Sequence, residues 1–449
     1  MGEECRREQR RRMRVESASR HDGIWKRSVR MRRTWTDAPL AAEPRDADVM
    51  AARVDGADRR HRPGNGEGRE EQREAQAPGH AESMTRLARR HAYGNLGGML
   101  KGTPADHGFS FPAEWVPHRG TWISWPRPEG ISFPGKYHEA IEDIAGLIRV
   151  LVAREEVHLN VPNDNYERIV RDFLRARRIG MRRVFFHHIP TNEAWARDHG
   201  PAFVLRSRRG KTEAAIVDWG FNAWGGKYPP WDADDAVPTR IAETVKLPVF
   251  YPGIVMEGGA VDFNGAGTVL TTTSCLLNKN RNPGLSKARI EKYLRDYYGQ
   301  QHVLWLGDGI EGDDTDGHID DLARFIDART IAIGLETNKR DPNYAILQKA
   351  RRAIEKFRDQ SGQPFEIVDL PMPKPLAYDG QRVPATYVNF YFANGALLVP
   401  TFGQRDRDRQ ALSVLQRHLP RREVIGVDCR KLIWGLGAIH CFTQQQPDF

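Results

Sequence analysis

Five side chains in the last two-thirds of this sequence are of types that can do chemistry together, and they recur at nearly constant intervals. They are Asp198 in NEAWARDHGP, Glu257 in MEGG, His318 and Asp320 in DDTDGHIDD, and Cys441 in GAIHC. Asp198 and Glu257 are 59 residues apart, Glu257 and His318 61, and His318 and Cys441 123, about two further intervals. In a fold of radially repeated units, equivalent positions converge on one central site, so these residues are expected to share a pocket. A thiol, an imidazole and three carboxylates suit a planar cation that is gripped and attacked. Two carboxylates match the rigid fork of N–H donors on a guanidinium. The Cys then adds to the central carbon, and the His, oriented by the Glu, moves protons to the departing nitrogen and from the incoming water.

Each residue also has a plainer reading. A free Cys is most often a buried core residue; Asp198 beside Arg197 suits a surface ion pair; Glu257 suits an exposed turn; a lone His is usually a satisfied polar group. The acid run Asp313, Asp314, Asp316 and Asp321 lacks the Gly and Glu that an EF-hand loop requires, which weighs against calcium. A cysteine protease would not crowd its pocket with three carboxylates, and the local signature CG[SA]C[WY] is absent. What favours the shared site is the recurrence in phase.

The elements that must position these residues alternate. Thr121–Trp125 reads as a strand, residues 137–153 as a helix with Ile141, Ile144, Ala145, Ile148 and Leu151 on one face, and Val157–Val161 as a strand. A helix over 164–177 and a strand at Val184–Phe186 follow. Four hairpins come next, at 202–218, 259–272, 319–334 and 386–400, each succeeded by a helix: 235–245, 286–298, 343–358 and 406–417. Asn264-Gly265 and Asn394-Gly395 mark two of the turns. Two strands, a helix and a third strand, repeated about every 60 residues, imply an α/β fold of five units arranged as a fivefold pseudo-symmetric propeller. His318 and Asp320, two residues apart, are expected on the same face of a strand.

Residues 1–104 read differently. They are rich in Arg, Glu, Asp, Ala and Gly and poor in aliphatics, and such a segment cannot bury enough apolar surface to offset chain entropy. The expected organisation is a disordered arm over 1–104 and a catalytic body over 105–449. The formal net charge of +9 sits mostly in the arm: residues 1–100 hold 21 Arg and 1 Lys against 16 acids. Nearly matching acid and the lack of interleaved aromatics weigh against nucleic-acid binding. Four cysteines without close spacing argue against a disulfide scaffold or a CxxC metal site. With no apolar run of the roughly 18–20 residues that span a bilayer and no signal-peptide core, the expectation is a cytoplasmic protein.

The motifs FPAEWVPH, TWISWP, NEAWARDHGP, FNAWGG, EGG, TVLTTTSCLLNKNRNP, VLWLGDGIEGDDTDGHIDDLARF, VNFYFANGALLVPTFG and IHCFTQQQP, in this order from about residue 109 to the end, resemble the agmatine deiminase family, within the Porphyromonas-type peptidyl-arginine deiminases. The resemblance implies the fivefold propeller of guanidine-modifying enzymes. It also implies hydrolysis of agmatine to N-carbamoylputrescine and ammonia without a metal or organic cofactor, on the way to putrescine. Carried over residue by residue, it makes Cys441 the nucleophile, His318 the general acid/base, Glu257 the carboxylate working with that His, and Asp198 and Asp320 the guanidinium clamp. Trp195 would line the pocket and stack on the cation, and Asp314 would hold the distal amine. Cys275 and Cys429 are expected to be dispensable. Relatives usually read GGGNIHC or GGGGIHC where this chain has Leu436 and Ala438, and a positive φ at either position would be strained. The only partner implied is agmatine, with a homo-oligomer left open. The alternatives are an arginine or peptidyl-arginine deiminase, and, from other classes, a guanidine-binding protein without turnover or a nucleic-acid binder acting through the arm.

Overall fold

The computed structural model describes residues 100–449, so the expected disordered arm lies outside the described residues except for 100–104. Packing begins before Phe109: Leu100 rests against a core that includes Phe109, Phe111 and Phe250, and the turn Ala105–His107 between them ends on Gly108 at φ 76.

The body is built of five mixed sheets and one small hairpin. β1 (His118–Ser124) is followed by the helix Tyr137–Leu151 and by β2 (Glu156–Val161), parallel to β1. A further helix, Asp164–Ala176, adds β3 (Val184–His188), parallel to β2. The next sheets share one plan, an antiparallel hairpin, a helix, and a third strand parallel to the hairpin's second. β4 (Ala202–Arg208) and β5 (Lys211–Val217) precede the helix Val237–Val245 and β6 (Val249–Phe250). β7 (Val261–Phe263) and β8 (Thr268–Thr272) precede Lys287–Tyr298 and β9 (His302–Leu306). β10 (Ala323–Asp327) and β11 (Thr330–Leu335) precede Pro342–Ile354 and β12 (Glu366–Pro371). After a two-stranded hairpin, β13 (Ala377–Tyr378) and β14 (Gln381–Arg382), come β15 (Tyr391–Ala393) and β16 (Ala396–Thr401), the helix Arg405–His418 and β17 (Glu423–Asp428). The last strand, β18 (Gln444–Pro447), pairs antiparallel with β1, Thr121 facing Gln445 and Trp122 facing Gln444. The C-terminal strand thus gives the first sheet the antiparallel neighbour that the other four have within their hairpins, with β3 as a fourth strand.

Local chemistry explains these elements. The helix Tyr137–Leu151 buries Ala140, Ile141, Ile144, Ala145, Leu147, Ile148 and Leu151, a continuous apolar stripe. Asn163, Ser286 and Asp341 cap their helices by accepting from backbone N–H groups in the first turn. Arg209 and Gly210, at φ 52 and 74, form the left-handed turn that suits the twist of the β4–β5 hairpin. Three expected strand starts are not strands, 259–260 lying in the turn Gly258–Ala260 ahead of β7. Residues 319–321 form a tight turn ahead of β10, and 386–390 are irregular ahead of β15. His318 and Asp320 therefore do not share a strand face. The reason is that Asp320, Asp321 and Asn389 bond across the interior rather than along a ladder. No helix among the described residues is long and apolar enough to cross a membrane.

Candidate active site

Four hairpins and the last strand β18 are each entered through a short segment that carries site residues. Asp198 lies in the turn Ala196–His199 ahead of β4, Glu257 just before Gly258–Ala260 ahead of β7, and His318 and Asp320 at Ile319–Asp321 ahead of β10. Asn389 precedes β15, and Cys441 lies in Ile439–Phe442 ahead of β18. The turns touch one another: Ala196–His199 meets both Gly258–Ala260 and Ile439–Phe442, and Gly258–Ala260 meets Ile319–Asp321. Close approach explains the second glycine of MEGG, because a Cβ on Gly259 would stand 2.6 Å from His318 Nδ1 and 2.7 Å from Asp198 Oδ1.

Around the cysteine every support is hydrogen-bonded. Asn389 Nδ2 lies 3.0 Å from Cys441 Sγ and 3.0 Å from Asp321 Oδ1, while its Oδ1 accepts from the N–H of His440 at 3.0 Å. Sγ is 3.6 Å from Asp320 Oδ2. His440 bridges two acids, with Nδ1 2.6 Å from Asp320 Oδ2 and Nε2 2.8 Å from Glu114 Oε2. Glu114 is held in turn by Arg324 at 3.0 Å and Arg197 at 3.2 Å. Burial works against the Glu114 charge, but Arg324, His440 and Arg197 overcome it and hold the carboxyl well below the usual range. Asp320 is likewise lowered, its burial outweighed by His440, His318 and Arg324. Burial, reinforced by Asp320, Asp321 and Asp198, pushes the Cys441 thiol well up.

Around the histidine the bonds stop. His318 is fully buried, with Nδ1 3.7 Å from Asp198 Oδ1 and 3.9 Å from Asp320 Oδ1. Among the described residues neither ring nitrogen has a hydrogen-bond partner, nor do Glu257 Oε2 and Asp320 Oδ1. Burial alone would lower His318, but Asp198, the Cys275 thiol and Asp320 raise it well above its ordinary value. Asp198 rises to about 6, chiefly through burial, with His318 opposing and Asp320 adding to the shift. Its Oδ2 accepts from Trp224 Nε1 at 2.9 Å and its Oδ1 from the Gly259 N–H at 3.0 Å. Glu257 Oε1 is fixed by Arg281 Nε at 2.5 Å.

The structure places the remaining expected residues as follows. Trp195 is buried, yet its ring lies against the cysteine loop, where a Cβ on Gly437 would come within 2.5 Å of it, and its Nε1 donates to Ser132 Oγ at 2.9 Å. The aromatic that reaches Asp198 is Trp224. Asp314 is partly exposed, and its carboxylate accepts from the Tyr228 hydroxyl and lies 3.6 Å from Lys227 Nζ, so its charge is already shared. Cys275 lies beside the site: donor atoms of Glu257, Cys275 and His318 all lie within 4.8 Å of one another. Leu436 adopts φ 69, the left-handed conformation that costs a non-Gly residue about 1–2 kcal/mol, whereas Ala438 at φ −124 is unstrained.

Sequence reasoning missed Glu114, Trp224, Cys275, Arg281, Asn389 and His440. Asn389 was within reach, because the interval of about 60 residues that skips from His318 to Cys441 leaves one unit to be filled between them. The others are fixed by contacts as distant in sequence as Glu114 and His440, 326 residues apart.

The arrangement offers a thiol, an imidazole and buried carboxylates in one place. Residues 110–447 match the model of the Porphyromonas-type peptidyl-arginine deiminase family. An agmatine deiminase of Medicago truncatula is 36% identical over 378 residues, covering 78% of this chain and 99% of that protein. The solved agmatine deiminase of Enterococcus faecalis superimposes with a TM-score of 0.71 at 34% identity, over 78% of this chain and 98% of the other. A substrate-bound C. jejuni agmatine deiminase does so with a TM-score of 0.68 at 34% identity, over 76% and 96%. This chain belongs to the agmatine deiminase family, among the Porphyromonas-type peptidyl-arginine deiminases.

Proposed function

We propose that this chain is an agmatine deiminase, hydrolysing agmatine and water to N-carbamoylputrescine and ammonia, and that its five units close into a pseudo-symmetric ring around the site. The observation that carries the chemistry is the meeting of Cys441, His318, Asp198 and Asp320 at the mouths of separate sheets, buried together with acceptors to spare. A guanidinium entering there meets Asp198 and Asp320 Oδ1, and its positive charge offsets the carboxylates that hold the Cys441 proton in place. The Cys441 proton is lost to solvent as the cation binds, and the thiolate adds to the central carbon. The His318 imidazolium gives a proton to one amino nitrogen, the C–N bond breaks, and ammonia leaves behind an S-linked thiouronium. Water then adds with His318 taking one of its protons, and as the C–S bond breaks the remaining hydroxyl proton passes to the released ammonia, freeing the ureido product and the thiolate. Glu257, anchored by Arg281, supports His318 across the cluster.

The acid loop supports agmatine over arginine. Asp314 and Asp316 border Lys227 and Tyr228, a setting in which a second amine can share carboxylates and an α-carboxylate is repelled. The test is ammonia release together with N-carbamoylputrescine formation from agmatine, compared with free arginine and a peptide with internal arginine. A kcat/KM higher for either arginine substrate overturns the agmatine reading.

A further inference from the structure

We propose that Glu257, Cys275 and His318 form a binding site for one thiophilic divalent cation of the zinc class, and that its occupation halts the enzyme by taking His318 out of proton transfer. All three are fully buried, and their sulfur, nitrogen and oxygen donors lie within 4.8 Å of one another. A tetrahedral zinc ion holds such donors about 3.4–3.6 Å apart, so side-chain movements of about 1 Å close the site. A Cys, a His and a carboxylate are a normal zinc set, with the fourth position left for water or substrate.

Two of the three ligands are not tied up by other groups. Arg281 fixes Glu257 through Oε1 at 2.5 Å and leaves Oε2 without a partner, and both His318 ring nitrogens are likewise unpartnered among the described residues. An outer group that orients a carboxylate in this way is a common support for a metal ligand. The charge also fits. Arg281 is matched by Asp316 Oδ2 at 2.5 Å as well as by Glu257, while Asp198 and Asp320 lie within 3.9 Å of the imidazole and add negative charge. A second trio, Asp320, Asp321 and Cys441, has donors equally close. There, however, His440 and Asn389 already occupy Asp320 Oδ2, and Asn389 binds Asp321 and Sγ. Metal binding at the first trio displaces the Cys275 thiol proton and any proton on the coordinating His318 nitrogen, both released to solvent, with no change of oxidation state.

That occupation stops turnover rests on the deiminase reading; the site itself does not. The full-length chain is stripped with chelator and titrated with Co²⁺, a spectroscopic stand-in for zinc, as wild type, Cys441→Ser, Cys275→Ser and Cys275→Ala. One equivalent is expected to raise a thiolate-to-cobalt charge-transfer band in wild type and Cys441→Ser, and neither Cys275 variant should show it at an unchanged melting temperature. A band that follows Cys441, a band that survives loss of Cys275, or no band at all overturns the site. If neither Cys275 variant folds, zinc X-ray absorption of Cys441→Ser decides: one sulfur at about 2.3 Å supports the site, and a shell of nitrogen and oxygen alone refutes it. In parallel, one equivalent of Zn²⁺ should cut agmatine turnover at least tenfold, reversibly with chelator. A Cys275-dependent band in a protein that does not turn over agmatine keeps the site and rejects the substrate. Full turnover with zinc bound rejects the inhibition.

Discussion

The two halves of the candidate site are built on opposite principles. On the cysteine side, Asn389, His440, Glu114, Arg197 and Arg324 form a closed network in which nearly every polar atom near Cys441 has a partner. On the histidine side, His318 and Glu257 Oε2 are as deeply buried but unbonded. Buried polar groups are ordinarily satisfied, and each orphan costs on the order of 1–3 kcal/mol. The fold thus fixes Cys441 through its neighbours and leaves His318, Glu257 Oε2 and Asp320 Oδ1 without hydrogen-bond partners among the described residues, while both oxygens of Asp198 are already bonded by Trp224 and Gly259. It is an uneven distribution of strain that suits chemistry.

The sharpest break is at the sulfur. Cys441→Ser should lower kcat for agmatine by roughly 10⁴-fold or more, as loss of a covalent nucleophile does, while substrate still binds; rapid-quench assays and calorimetric titration check both. Substantial residual turnover would remove covalent catalysis.

Next come the carboxylates that border both halves. Asp198→Asn and Asp320→Asn should each cost about 2–5 kcal/mol in kcat/KM, or about 30-fold to several thousand-fold, by leaving part of a desolvated cation unpaired. Asp320→Asn should be the more damaging, since it also breaks the His440 bridge. The pH dependence follows from Asp198, raised to about 6: the clamp is charged above that value and lost below it, so kcat/KM should rise through pH 6. In Asp198→Asn this limb should be missing; an unchanged profile would detach the limb from Asp198.

On the wired side, Glu114→Gln should destabilise the fold by about 3–5 kcal/mol, because Arg324 and Arg197 lose a buried partner. The Glu114 pKa is depressed on folding, so its stabilisation is complete above the unfolded value of about 4.3 and fades as pH falls below it. Chemical denaturation from pH 7 down to pH 3 should show a steep loss in the wild type and a shallower one in the variant. Equal slopes would mean that other carboxylates carry the acid sensitivity.

The smallest effect concerns the cysteine loop. Leu436→Gly removes left-handed strain but also some packing, so a net gain of at most about 1 kcal/mol is expected, while Ala438→Gly, at an unstrained φ, should lose about 0.5–1 kcal/mol. Melting curves that place the two changes in the opposite order would contradict the loop geometry.

Much of this was legible in the chain. Helix 137–151 announces itself by its apolar stripe, the hairpins by their turns, and the interval of about 60 residues brought Asp198, Glu257, His318, Asp320 and Cys441 into one candidate site. These signals are local or periodic, and short-range chemistry writes them directly into residue order. Only the tertiary structure decided that β18 completes the first sheet beside β1, that His440 bridges Glu114 and Asp320, that Trp224 rather than Trp195 reaches Asp198, and that Cys275 stands with His318. The physical reason is distance along the chain. A side chain's burial and partners depend on which remote segments pack against it, and nothing in the residues flanking Glu114 or Cys275 encodes that.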